Sequence, residues 1–104
     1  MSKSTAIRHY TLLLTLAAIR YGYNSDRDIA QVCYGSDSSR RGNNLVMRGI
    51  RRGWVQRGLG ARTTVLTEQG NLILDKCAVH TVREGKRRKP VGVYEPVPIP
   101  KEAK

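Results

Sequence analysis

Cysteine and histidine are scarce in this chain, with two of each among its 104 residues. Cys33 and Cys77 lie far apart, and the only histidines are His9 and His80, so the number and spacing exclude a structural zinc site. We therefore expect no bound metal. Two buried free thiols in a reducing cytosol fit the sequence better than a single disulfide, which the count still allows.

Long apolar runs are also missing. The longest largely apolar stretch, residues 12–19, is far short of the ~20 residues that span a bilayer. Lys3 and Arg8 precede this stretch, which is an arrangement also found in signal peptides. A signal peptide would need a cleavage site of small residues after the apolar stretch, and none is evident before Arg20. We expect a core helix, no membrane partner and a cytoplasmic, nucleoid-associated location.

Acidic residues are few: 8 Asp and Glu stand against 19 Lys and Arg, which gives a formal net charge of +11. Residues 1–82 carry 12 basic and 5 acidic side chains, a difference of +7, and residues 83–104 carry 7 and 3, a difference of +4. Such an excess predicts a polyanionic partner, with DNA favoured, RNA second and an anionic membrane surface third. A chain of 104 residues suffices for one domain with a modest core.

Five arginines lie between positions 36 and 53, and no carboxylate interrupts positions 38–61. On a helix that advances about 100° per residue, small and apolar residues fall along one side. They are Gly42, Leu45, Val46, Gly49 and Ile50. The opposite side, an arc of roughly 120°, carries guanidinium and amide groups. They belong to Arg40, Arg41, Asn44, Arg48, Arg51 and Arg52.

A helix with these two sides can pack on a core and meet phosphates and base edges with its outer side. The alternative is a solvated basic face. Solvated helices, however, normally carry acidic partners three or four positions from their basic residues, and this stretch has none. We therefore favour contact with nucleic acid.

Capping residues and glycines define the helices around this stretch. Apolar periodicity predicts a first helix over residues 5–21 and a second over 26–34, capped by Ser25. The basic helix, residues 37–52, is capped by Asp37 or Ser38. Two helices joined by a tight, glycine-containing turn are typical of a helix-turn-helix.

The pattern changes after Gly53. Two short runs rich in β-forming residues, 54–57 and 62–66, flank a flexible tip and predict a hairpin. Thr67 caps a last helix that reaches about residue 79. Residues 83–104 are basic and then rich in proline, which predicts an extended or disordered tail beside a domain over residues 1–82. Residues 91–94, which are more apolar, could pack back on that domain.

This order of elements is that of a winged helix-turn-helix domain, a mainly α fold with a small β-hairpin. The chain resembles MarR-type and PadR-type transcriptional regulators in three consecutive parts: the end of the recognition helix, the wing and the entry to the next helix. The segments that carry this likeness are residues 49–57, Arg62 and residues 65–70 (Val-Leu-Thr-Glu-Gln-Gly). The likeness covers residues 25–75. The size of the chain fits a small regulator of phage or plasmid type.

The resemblance implies sequence-selective binding of duplex DNA in transcriptional control, with the basic helix in the major groove. The residues nearest the bases would be Ser38, Ser39, Arg40, Arg41, Asn43, Asn44 and Arg48. Arg62, at a wing position where those families often carry arginine, would reach the minor groove or its phosphates.

General chemistry assigns further roles. Arg40, Arg41 or Arg48 would contact guanine and Asn43 or Asn44 adenine, each worth ~1–3 kcal/mol of discrimination. We expect phosphate contacts from Arg51, Arg52, Arg57 and Arg62. In the tail, nonspecific affinity would come from Lys86, Arg87, Arg88 and Lys89.

Other functions remain open. One alternative is an RNA-binding protein. Proteins that bind single-stranded RNA usually expose aromatic side chains beside their basic groups. Here the positions of four tyrosines predict packing between helices, which argues against RNA binding; they are Tyr10, Tyr21, Tyr23 and Tyr34. A second is an interaction module that docks on transcription machinery through the fold and the Pro-rich tail. A homodimer through helix one and the closing helix also stays open.

Enzymatic function is the weakest interpretation. Asp26 and Asp28 sit where carboxylates favour a helix N-terminus, and no Ser-His-Asp or Cys-His arrangement is evident. No glycine-rich phosphate loop follows a strand, so we expect no cofactor.

Overall fold

The computed structural model describes residues 2–59 and 63–94, with side chains from residue 10, and these residues form four helices and two antiparallel hairpins. The elements in chain order are α1 (Ser2–Arg20), α2 (Asp26–Tyr34), α3 (Ser39–Arg51), β1 (Val55–Arg57), β2 (Thr64–Leu66), α4 (Glu68–Asp75), β3 (Ala78–Glu84) and β4 (Arg87–Tyr94). The described chain is thus a small domain that combines helices with two separate two-stranded sheets.

Helix α1 lies at the centre of the core. All side chains at positions 12–19 are buried, because α2, α3, α4, β2 and β4 pack around the helix. Thr15 is the polar exception, and its hydroxyl donates to the Thr11 carbonyl at 2.9 Å. Burial on all sides explains why this stretch has no polar stripe. Within residues 2–59 and 63–94, no helix combines the length and apolar character needed to cross a lipid bilayer.

The predicted caps of α2 and α3 are confirmed. The Ser25 hydroxyl accepts a hydrogen bond from the Asp28 amide at 3.1 Å, and the Ser38 hydroxyl accepts one from the Arg41 amide at 3.3 Å. Gly35 ends α2 in a left-handed conformation, with φ of +65°. Side-chain oxygens thus satisfy amides that the first turns leave without helical partners. Local sequence therefore places the two helices and the short turn between them.

Two glycines allow α3 to approach its neighbours closely. A β-carbon at Gly42 would overlap the carbonyl oxygen of Asp26 at the start of α2. At Gly49 it would lie 2.5 Å from the Cγ2 atom of Val55 in β1. Glycine inside a helix costs ~1 kcal/mol relative to alanine. Here close packing of α3 on α2 and β1 offsets that cost.

The first hairpin matches the prediction. In β1 and β2, Val55 pairs with Leu66 and Arg57 with Thr64. The chain then turns into α4 at Thr67, whose hydroxyl donates to the Gly53 carbonyl at 2.6 Å and accepts from the Gly70 amide at 3.1 Å. Arg62 lies outside the described residues.

The segment after α4 differs from the prediction. The helix expected to reach residue 79 ends at Asp75, and residues 78–94 form the hairpin β3–β4. Residues 83–94 are therefore part of the fold, where the sequence predicted an extended or disordered tail. Val93 and Pro90 are buried, and β4 packs along α1. Residues 83–94 thus form part of a hairpin that packs on α1, and residues 95–104 lie outside the described chain.

A short turn is the signal that sequence reasoning missed. Glu84 pairs with Arg87 across Gly85 and Lys86, and Gly85 has a φ of +63°. A two-residue turn with glycine between β-forming residues is typical of a hairpin. The dense charges around it, together with the proline in β4, hid the alternation. Pro90 pairs with Thr81, next to a register shift at His80, which is where a strand tolerates proline.

Candidate nucleic-acid interface

The predicted basic helix is confirmed as a helix with its apolar side turned inward. Gly42, Leu45, Val46 and Gly49 are buried against the core. The exposed side carries guanidinium and amide groups, and we call it the basic face. Its members are Arg40, Arg41, Asn44, Arg48 and Arg51. Ser39 and Arg52, at the two ends of the helix, are exposed as well.

The arginines of the basic face have no carboxylate partner within residues 10–59 and 63–94. Ion pairs in that part of the chain join Arg20 to Asp75, Arg57 to Asp26, and Lys89 to Glu84. A solvated helix would offset such charges locally. The positive charge of α3 is instead left to attract an anion from outside the protein.

Two arginines of this region lie over aromatic rings. The guanidinium of Arg41 is 5.2 Å from the ring centre of Tyr34, the last residue of α2. Arg52 lies 5.4 Å from the ring centre of Trp54, which itself packs against the core. Cation–π contacts at exposed sites contribute about 0.5–1 kcal/mol. These contacts therefore restrict two otherwise flexible side chains and leave their positive charges unneutralised.

An open groove of about 500 Å³ runs beside the basic face and is lined by Tyr34, Arg41, Asn44, Leu45 and Arg48. Two guanidinium groups, a phenol and an amide line it, so hydrogen-bond donors outnumber acceptors. Such a lining suits a phosphate oxygen or the acceptor edge of a base.

Tyr34 lines this groove but was not among the predicted site residues. Its position predicted packing between helices, yet 45% of its surface is exposed. Tyr21 is exposed too, whereas Tyr23 is buried and Tyr10 is half-buried. The placement of Tyr34 beside Arg41 depends on how α2 and α3 pack, which helical periodicity does not specify.

Arg57 and Asn43 differ from their predicted roles. The Arg57 guanidinium donates to Asp26 Oδ1 at 2.5 Å and to Asn43 Oδ1 at 3.2 Å, and its Nε donates to Thr64 Oγ1 at 2.9 Å. These contacts join β1 to β2, α2 and α3. Arg57 thus fixes the first hairpin against the helices rather than projecting toward a phosphate, and Asn43 is half-buried beside it.

The four basic residues predicted in the tail lie at the β3–β4 turn and in β4. Arg87 lies 4.1 Å from the ring centre of Tyr23. Arg88 Nε donates to Thr81 Oγ1 at 2.8 Å, and Lys89 Nζ is 3.9 Å from Glu84. Lys86 is exposed at the turn. Arg88 and Lys89 therefore join β4 to β3, and Arg87 joins the hairpin to Tyr23. These residues lie in a folded hairpin and not in a disordered tail, and their nonspecific contact with DNA stays a prediction.

Ser38 also has a structural role, since its hydroxyl caps α3. In the described part of the chain, no three His, Cys, Asp or Glu side chains form a group that could hold a metal ion. Comparison of the chain with protein-family models, curated proteins and solved structures found no significant match.

Proposed function

We propose that this protein binds duplex DNA sequence-selectively, as a small transcriptional regulator built on a winged helix-turn-helix. The observation that carries the proposal is the basic face: exposed guanidinium groups without carboxylate partners in the described residues, on a helix held by its buried side. A helix of this width fits the major groove, where phosphates lie on both sides and base edges at the bottom.

Each part of the domain has a role in this proposal. Helix α2 positions α3, which enters the major groove. Arg40 and Arg48 contact guanine, Asn44 contacts adenine, and Arg51 and Arg52 contact phosphates. The first hairpin is the wing, and Arg62 near its tip reaches the minor groove or its phosphates. The sequence resemblance of residues 25–75 to MarR-type and PadR-type regulators supports the same arrangement.

The direct test is selection of bound sequences from a pool of random duplex DNA, followed by affinity measurements on the selected site. We expect one preferred sequence and an affinity that falls steeply with salt, because each neutralised phosphate contributes ~0.9 to the logarithmic slope. A pool that stays random after several rounds would contradict sequence-selective binding. Binding that hardly changes between low and moderate salt would contradict the role of the basic face.

A matched pair of variants locates the interface. Arg48→Ala and Arg83→Ala each remove one exposed positive charge, the first from the basic face and the second from β3. We expect Arg48→Ala to weaken binding to the selected site about 5- to 160-fold, corresponding to the loss of ~1–3 kcal/mol from one bidentate base contact. Arg83→Ala should leave the sequence preference unchanged. Equal effects of both variants would indicate attraction by net charge alone.

Competition with RNA separates this proposal from its nearest alternative. A fold that reads the major groove should prefer duplex DNA, because the major groove of A-form RNA is too narrow for a helix. Structured or single-stranded RNA that displaces the selected duplex at equal concentration would favour an RNA-binding function instead.

A further inference from the structure

One exposed apolar side chain lies at the edge of the basic face. Met47 is 39% exposed, whereas Leu45 and Val46 are buried and Ile50 is half-buried. At about 100° per residue, position 47 falls between positions 40 and 43, next to Arg40 and Arg51 on the same side of α3. The exposed methionine therefore shares a surface with the guanidinium groups.

The packing of the described chain does not explain this side chain. The core beneath α3 is filled by Leu45, Val46 and the close contact of Gly49 with Val55. Met47 is absent from the set of partly buried side chains that pack against that core. An exposed apolar side chain among donors is well suited to a partner surface that combines acceptors with an apolar group.

We propose that Met47 recognises the 5-methyl group of a thymine in the bound site. That methyl group is the apolar feature of the major-groove edge, and apolar side chains contact it in protein–DNA complexes. A thioether on an unbranched chain adapts to it easily. Asn44 and Arg48, one turn before and one position after Met47, reach the neighbouring bases. This inference rests on the proposed function and adds thymine to its specificity.

The test replaces single thymines of the selected site by deoxyuridine, which removes one methyl group and keeps every hydrogen bond. We expect one thymine at which this change weakens wild-type binding about fourfold, the factor that corresponds to burying one methyl group. The same change should weaken Met47→Ala by less than twofold, because the partner of the methyl group is gone. Met47→Leu should keep most of the sensitivity. Thermal unfolding of the variants checks that the fold is intact.

The possible results separate the inference from its premise. A selected site without thymine, or equal deoxyuridine sensitivity in wild type and Met47→Ala, would overturn the role of Met47 and leave DNA binding standing. A pool that yields no preferred duplex would overturn both. If Met47→Ala instead abolishes self-association and leaves methyl sensitivity unchanged, Met47 belongs to a contact between two copies and the inference is wrong.

Discussion

Gly42 of α3 packs directly on the backbone carbonyl of Asp26, with no room between them for a β-carbon. Asp26 is the first residue of α2, so this contact sets how closely the two helices approach. In the proposed function that approach also sets how far the basic face projects. The absence of a side chain at Gly42 thus allows two helices to touch at residues that are 16 positions apart along the chain.

Gly42→Ala should destabilise the protein. Alanine improves helix propensity by ~1 kcal/mol, but the new methyl group forces α2 and α3 apart, and overpacking typically costs ~1–3 kcal/mol or more. Because the clash is with backbone, we expect a net loss of about 2 kcal/mol, measured by urea unfolding. The matched control is Asn44→Ala on the exposed side of the same helix, which should be neutral or slightly stabilising. Equal stability of the two variants would show that the helices adjust freely.

Arg57→Ala should destabilise the contact between the first hairpin and the helices. The variant removes the bonds to Asp26, Asn43 and Thr64, and the side chains of Arg57 and Asp26 are only 29% and 28% exposed. We expect the free energy of unfolding to fall by about 1–3 kcal/mol, because Asp26 keeps a partly buried charge without its partner. Arg51→Ala, on the exposed basic face, should change it by less than about 0.5 kcal/mol. If both variants cost the same, the network of Arg57 does not stabilise the fold.

Neighbouring valines in β4 test whether the second hairpin belongs to the core. Val93 is 2% exposed and Val91 is 47% exposed. Val93→Ala should lower the free energy of unfolding by about 1–3 kcal/mol, whereas Val91→Ala should stay within about 0.5 kcal/mol of wild type. Chemical denaturation measures both. A negligible effect of Val93→Ala would mean that β4 does not pack on α1 in solution.

The same burial affects any test of the Pro-rich segment as a docking strand. A deletion that starts at Pro90 removes two buried side chains, Pro90 and Val93, so loss of function would reflect loss of the fold. A deletion that starts at residue 95 keeps β4 complete. Only the second deletion can separate partner docking from folding.

The Cys33 thiol should react slowly. Burial raises its pKa to about 11, although its contact with Thr15 opposes the shift. At pH 8 roughly one thiol in a thousand is then ionised, and the thiolate is the reactive form. In a Cys77→Ser background, alkylation by iodoacetamide should be far slower for the folded protein than for the protein in urea. Equal rates would contradict the shielding of this half-buried thiol by the fold.

The raised pKa of Cys33 also predicts a pH dependence of stability. The ordinary pKa of a cysteine thiol is 9.0, so the unfolded chain loses this proton at lower pH than the folded protein, whose thiol has a pKa of about 11. The stabilisation is present below about pH 9 and is lost as the pH rises toward 11. The difference in unfolding free energy between wild type and Cys33→Ala should shrink over that range. A constant difference would show that Cys33 does not titrate in this way.

Local chemistry was sufficient for the elements that face the proposed partner. A serine before a helix, a glycine after it and the period of apolar residues act within a few positions. They placed α2, α3 and the first hairpin, together with the inward side of α3. The same reasoning predicted that Gly42 and Gly49 face inward.

Contacts between distant positions decided the rest. In the sequence, nothing distinguishes Arg57 from the other arginines of the basic stretch. In the folded protein it binds Asp26, which lies 31 positions away along the chain. The second hairpin forms because β3 pairs with β4 and β4 covers α1, and neither contact leaves a periodic signal in so charged a segment. The periodicity of apolar residues in the sequence indicates which side of a helix or strand is apolar. Which neighbour covers that side, and which charges are neutralised by it, depends on packing in three dimensions.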